Sequence, residues 1–284
     1  MLRVKPVFLA LAAITLGIGV LVGATAVRAR ADGTLCAYAT APVAGGTYIV
    51  QNDEWNSSAT ECVTPGSGAG FTVTSSEIAN STDGDPGGYP SIYMGCHYGN
   101  CTAGGLGSHP LPLSDIKPGL VTSSWYTTQP PGDSAYDVAY DIWINKTPAT
   151  SGAPDGTEVM VWLNHSDAIQ PAGSMVGTTS ISGHHYDVWY GAGTGAADIV
   201  TYEMTTGRTS VANLDIGAVI SNARKLGYTD PSWYLISVEA GFEIWQGGVG
   251  LATTSFSVDL SPIKPGPRAS STTSTRAVSG SRLR

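Results

Sequence analysis

The sequence predicts an all-β protein, a β-jelly-roll sandwich of two antiparallel sheets with one short helix. Three observations lead there. Hydrophobic residues make up 42% of the 284, enough for a sizeable core, while charged residues are only 13%, too few for the solvated faces of a helical bundle. Gly (36) and Pro (17) punctuate the chain at short intervals. Between these breaks the apolar residues alternate with period two, the spacing that puts residues i and i+2 on one face of a strand.

In chain order, alternation predicts strands over 48–52, 70–74, 135–145, 157–164, 185–190, 198–204, 233–242 and 253–260. One segment has helical period. Ile216, Val219, Ile220, Ala223 and Leu226 share a face, with Asn213 or Asp215 placed to cap the start and Gly227 to end it. No internal repeat is present, and residues 32–260 are expected to form one domain.

The two ends differ from this middle. Arg3 and Lys5 precede an apolar run over 7–27, and Ala29-Arg30-Ala31 is a small-x-small site, so 1–31 reads as a secretory signal peptide cleaved after Ala31. An uncleaved anchor is the competing reading, since about 20 apolar residues span a bilayer. Residues 261–284 are rich in Ser, Thr, Pro and Arg and are expected to be a disordered tail. In a secreted protein the four cysteines should pair. Three connectivities are possible; if Cys96 and Cys101 clip a short Gly-containing loop, Cys36 pairs with Cys62. The spacing does not suit zinc, and no metal is expected.

Charge narrows the function classes. Residues 32–260 hold only five of the 14 basic residues against all 22 acidic ones, a net charge of −17, and all seven Trp. That argues against nucleic acid, which needs a basic face, and for a neutral polyhydroxylated ligand.

The strand faces sharpen this. Over 157–164, Val159, Val161 and Leu163 make an apolar face, with Glu158, Met160 and Trp162 opposite. Over 136–145, Val138, Tyr140, Ile142 and Ile144 oppose Asp137, Asp141 and Trp143. Over 237–245, Val238, Ala240, Phe242 and Ile244 oppose Glu239, Glu243 and Trp245. Three strands thus each carry a core face and an outer face mixing carboxylates with Trp. On one strand this is an ordinary solvated face. On three it suits a sugar groove, where indoles stack on pyranose rings and two carboxylates bracket a glycosidic bond.

At these residues the chain resembles glycoside hydrolase family 12, secreted endoglucanases with a β-jelly-roll fold and an open substrate cleft. Glu158-Val159-Met160-Val161-Trp162 is similar to the family's nucleophile strand, Gly241-Phe242-Glu243-Ile244-Trp245 to its acid/base segment, and Ala139-Tyr140-Asp141-Ile142-Trp143 to the strand whose aspartate supports the nucleophile. Gln51-Asn52-Asp53-Glu54-Trp55 resembles its glucose-stacking segment. Tyr89-Pro90-Ser91-Ile92-Tyr93, Gly95-Cys96-His97-Tyr98 and the Cys spacing resemble the bacterial branch, and Gln170-Pro171-Ala172-Gly173 its cleft loop. The likeness runs from about Cys36 to Leu260.

The resemblance implies a retaining endo-β-1,4-glucanase without cofactor, acting as a monomer on β-glucan polysaccharide outside the cell, with no membrane after signal removal. Glu158 would be nucleophile, Glu243 acid/base and Asp141 the partner of Glu158. Trp55, Met160, Trp162, Asn52 and Trp245 would bind substrate. Retention requires the two carboxyls roughly 5–5.5 Å apart. Ala172 is smaller than the family's usual residue, which would leave room for branched xyloglucan. Glu239 stands where Gln is familiar and is expected to raise the pKa of Glu243. A non-catalytic sugar-binding jelly roll is the alternative from another class. Asp83-Gly84-Asp85 reads as a plain turn and His184-His185 as surface residues.

Overall fold

The structure is a computed structural model and describes residues 33–166, 168–193 and 197–261. The expected signal peptide, and the expected tail beyond Ser261, lie outside the described residues. With strands numbered in chain order, the smaller sheet has six, in the order β1 (Leu35–Cys36), β4 (Glu61–Pro65), β5 (Phe71–Ser76), β18 (Ala252–Leu260), β9 (Val121–Thr128) and β15 (Ser210–Asp215). The larger sheet has twelve. Its main path runs β12 (Ser174–Ile181), β13 (His184–Gly191), β14 (Asp198–Met204), β11 (Thr157–His165), β10 (Ala135–Asn145), β16 (Tyr234–Gly241), β6 (Ser91–His97), β3 (Tyr48–Gln51) and β2 (Thr40–Val43). Three short strands attach to it: β17 (Ile244–Gln246) on β10, β7 (Asn100–Cys101) on β6 and β8 (Leu111–Pro112) on β16.

This is the jelly-roll sandwich that the alternation predicts, with one departure. β11 and β14 pair in parallel. The meander β12–β13–β14 lies against β11 by its last strand, which runs in the same direction as β11.

The core sits between the sheets. Val138, Tyr140, Ile142 and Ile144 of β10 meet Val159, Val161 and Leu163 of β11 and Val238 and Ala240 of β16, all fully buried. Val121, Trp125, Phe256 and Val258 close it from β9 and β18. Each large aliphatic removed from water contributes roughly 1.5–3 kcal/mol, which is why alternation fixes the register so firmly.

Strands that the alternation missed fail it for identifiable reasons. β6 is buried on both faces, so it reads as an unbroken run. β9 places Ser123 at a core position, where its hydroxyl bonds Tyr140 Oη at 3.0 Å and donates to the Ser257 carbonyl at 2.7 Å. β12 is an edge strand exposed along most of its length.

The helix α1 (Ile216–Lys225) begins at Asp215, whose carboxylate accepts from the Ala218 N–H at 2.8 Å. Asn213 does not cap; it sits in the left-handed region within β15. Ile216, Val219, Ile220 and Ala223 are buried, but Leu226 is exposed, because the chain turns away at Gly227 with φ +87°. No helix among the described residues is long and apolar enough to cross a membrane. Cys36 bonds Cys62 across β1 and β4, and Cys96 bonds Cys101 across β6 and β7.

Candidate active site

The face of the larger sheet turned from the core floors a cleft of about 1240 Å³. Register arranges the floor in ranks. Met160, Asp141, Glu239 and Tyr93 stand side by side on β11, β10, β16 and β6. One step along, Glu158 stands beside Trp143; one step the other way, Trp162 stands beside Ala139 and Gly241. Diagonal neighbours on one face lie within reach of long side chains, so Asp141 meets Glu158.

These two carboxyls hydrogen-bond each other. Both are nearly withdrawn from water, Asp141 at 4% exposure and Glu158 at 9%. Burial holds Asp141 well above the carboxylate range, helped by the charges of Glu158, Glu243 and Glu239. Burial, helped by the charges of Glu243 and Glu239 and opposed by the bond from Asp141 and the cation at His97, leaves Glu158 raised to about 8. The shared bond therefore favours a protonated Asp141 and an ionised Glu158.

Glu243 reaches the cleft differently. The expected strand over 233–242 stops at Gly241, where a Cβ would lie 2.5 Å from the Pro90 carbonyl oxygen. Phe242 drops into the core, and pairing resumes on β17, which continues along the same edge of β10 toward its first residues. Glu243 occupies the break. Its N–H donates to Asp137 Oδ1 at 3.1 Å, and its carbonyl accepts from the Asp137 N–H at 3.0 Å. Burial raises its pKa; a side-chain bond with Asp137 lowers it and the Asp85 charge raises it.

Glu239 departs from expectation. It does not act on Glu243. It accepts from Ser237 Oγ at 2.8 Å and Gln51 Nε2 at 3.2 Å, and pairs with His97 Nδ1 at 3.2 Å. Burial pulls His97 down, yet the charge and hydrogen bond of Glu239, with Asp53 and Glu158, carry it up to about 9. The fully buried carboxylate is thus matched by a cation, and the pair faces Asp141 and Glu158 instead of Glu243.

Trp55, 45% exposed, stands on the cleft wall with Tyr38 and Tyr98. Met160, Trp162 and Trp245 line the cleft as a packed cluster with Ala135, Ala139 and Ile169. Trp245 Nε1 donates to the Gly84 carbonyl at 2.6 Å, so the turn at Asp83-Gly84-Asp85 becomes part of the wall. Nothing in that turn's sequence distinguishes it from any other turn. The loop with Gln170, Pro171, Ala172 and Gly173 lines the cleft as well.

Asn52 does not join them. It is fully buried, and its Nδ2 donates to the carbonyls of Ala37 at 3.1 Å and Glu61 at 3.0 Å. Adjacent residues in an extended segment face opposite ways, and here Gln51 and Asp53 have the cleft. Among the described residues, no group of three or more His, Cys, Asp or Glu is arranged to hold a metal ion.

Comparison with known proteins matches this architecture. The model of glycosyl hydrolase family 12 matches residues 46–261. A probable cellulase, Cel12b of Mycobacterium tuberculosis, is 37% identical over 130 residues, covering 46% of this chain and 84% of that protein. The structure of endoglucanase Cel12A from Rhodothermus marinus superposes with a TM-score of 0.74 at 36% identity, covering 80% of this chain and 97% of the other. A xyloglucan-specific endo-β-1,4-glucanase A of Aspergillus niger is 29% identical over 226 residues, 76% of this chain and 86% of that protein.

Proposed function

Because the chain belongs to glycosyl hydrolase family 12, and is therefore a glycoside hydrolase, we propose that it cleaves internal β-1,4 bonds of glucans with retention of configuration. Glu158 is the nucleophile and Glu243 the acid and base. One observation carries this reading. The two glutamates line a single cleft, Glu158 feels the charge of Glu243, and only Glu158 is hydrogen-bonded to Asp141.

The chemistry follows from that asymmetry. The Glu158 carboxylate attacks the anomeric carbon while Glu243 gives its proton to the departing glycosidic oxygen. Water then attacks the glycosyl-enzyme as Glu243 takes its proton, and Glu158 leaves as carboxylate. Asp141 keeps its proton throughout and holds Glu158 ready to ionise. Trp55 offers a stacking surface to a sugar away from the reacting bond. The two disulfides suit work outside the cell.

Unbranched or mixed-linkage glucan is the substrate favoured here. Xyloglucan is a second reading, supported by the small Ala172 on the cleft wall and by the xyloglucan-specific relative. Incubation with barley β-glucan, carboxymethylcellulose and xyloglucan, followed by product sizing, tests both. Mid-chain scission with retained configuration is expected, and Glu158→Gln should lower turnover by at least about 10³-fold while oligosaccharide binding persists. Release of monosaccharide alone, or unimpaired turnover in Glu158→Gln, refutes the reading.

A further inference from the structure

Both glutamates have a buried aspartyl partner from the same strand. Asp141 serves Glu158; Asp137, four residues earlier on β10, meets Glu243. Asp137 is fully buried. Its Oδ1 takes up the Glu243 N–H that the strand break leaves without a ladder carbonyl, and its own N–H closes the ring on the Glu243 carbonyl. Its Oδ2 is buried with no N–H or hydroxyl partner. The side chain that acts on it is that of Glu243, and two carboxyls within such reach bond each other only when one holds a proton.

We propose that Asp137 is a positioning residue for Glu243: a neutral carboxylic acid whose Oδ2–H donates to the carboxylate that forms as Glu243 gives up its proton. The inference rests on Glu243 being the acid and base. The Glu243 proton goes to the leaving oxygen, the C–O bond breaks, and the new negative charge on Glu243 meets a donor already in place. Asp137 neither gains nor loses a proton. The bond strengthens as charge develops, so it favours the transition state over the bound substrate.

The surroundings keep Asp137 neutral. Burial raises its pKa far above the carboxylate range, and the charges of Glu243 and Asp141 add to that. Asp85 faces Glu243 from the wall, and the neutral phenol of Tyr89 lies near both, donating to the Ala139 carbonyl. His165, the β11 neighbour of Asp137, is taken by Glu203 at 2.8 Å. The charges that act on Asp137 come from Glu243 and Asp141, both acidic, and favour its neutral form.

Leaving-group dependence separates this role from a structural one. In Asp137→Ala, kcat/KM on barley β-glucan should fall about ten- to hundredfold, the effect of losing a hydrogen bond to a charged group. On 2,4-dinitrophenyl β-cellotrioside, which leaves with little protonation, it should fall less than about threefold. The ratio is taken within one preparation, so any unfolded fraction cancels. The alkaline limb of the profile should move up in Asp137→Ala, since the bond that favours ionised Glu243 is gone. Asp137→Asn retains an acceptor for the N–H and a donor for the carboxylate, and should recover glucan kcat/KM to within about threefold.

Equal losses on both substrates, or Asp137→Asn as impaired as Asp137→Ala, overturn the inference. If Asp137→Ala does not fold, Asp137→Asn decides alone, and a loss beyond about tenfold on both substrates overturns it. Glu243→Ala is the control on the underlying reading. If it shows no leaving-group split, Glu243 is not the acid; if it shows the split and Asp137→Ala does not, the role of Asp137 is what fails.

Discussion

Two buried carboxyls outside the reacting pair meet opposite surroundings. Glu239 is matched by His97, Ser237 and Gln51. Glu61 is fully buried, and neither of its oxygens has a hydrogen-bond partner. Burial lifts Glu61 to about 9, with the charges of Glu54 and Asp53 adding to it, so it is neutral through most of the working range. The linkage has a definite sign. A folded pKa raised above the ordinary value of 4.5 gives stability that is complete below pH 4.5 and is lost as pH rises toward 9. Glu61→Gln removes that dependence, because the amide is neutral throughout. At pH 8 the variant should be more stable by roughly 5 kcal/mol, raising Tm by roughly 10–20 °C. At pH 4 the two proteins should melt within about 1 °C. Calorimetry at both pH values checks this, and a Tm that falls at pH 8 refutes it.

At the scale of elements, β10, β11 and β14 are legible in the sequence almost to the residue, because one face of each is core and apolar alternation is uninterrupted there. The same alternation assigns Asp141, Glu158 and Met160 correctly to the outer face. It fails over 237–245, which reads as one strand but is β16, a break and β17. Glu243 still reaches the cleft, although its location depends on Asp137 and on the close approach at Gly241 more than on strand parity. The partners of Glu239 and the burial of Asn52 arise from strands distant in sequence, and no local pattern carries them. The disulfides make a further test. Cys36–Cys62 closes 26 residues and Cys96–Cys101 only five. Chain entropy then assigns the first about 3.5 kcal/mol and the second about 2 kcal/mol. Replacing Cys36 and Cys62 by Ser should cost more Tm than replacing Cys96 and Cys101. The latter change should instead act on activity, since β7 is hairpinned to the strand that carries His97. The reverse order of Tm losses contradicts the argument.

Charge is a property of the whole molecule. The net charge of −17 over 32–260 surrounds a cleft whose lining includes Asp53, Asp83, Asp85, Asp141, Glu158 and Glu243, with His97 as a counter-ion. A neutral glucan feels none of this field, whereas carboxymethylcellulose carries carboxylates along the same backbone and is repelled by it. Screening lengths shrink from about 30 Å at 0.01 M salt to under 10 Å at 0.3 M, shorter than the approach path of a polymer but longer than the contacts that hold a sugar in place. Raising NaCl from 10 to 300 mM, taken here as about a thirtyfold change in screening ions, should therefore increase kcat/KM on carboxymethylcellulose several-fold, mostly through KM. On barley β-glucan the same change should alter kcat/KM by less than about twofold. The comparison is made at one pH, so the protonation states of Glu158 and Glu243 are common to both substrates and divide out. Equal responses of the two polymers would mean that the acidic surface does not govern how glucan chains enter the cleft.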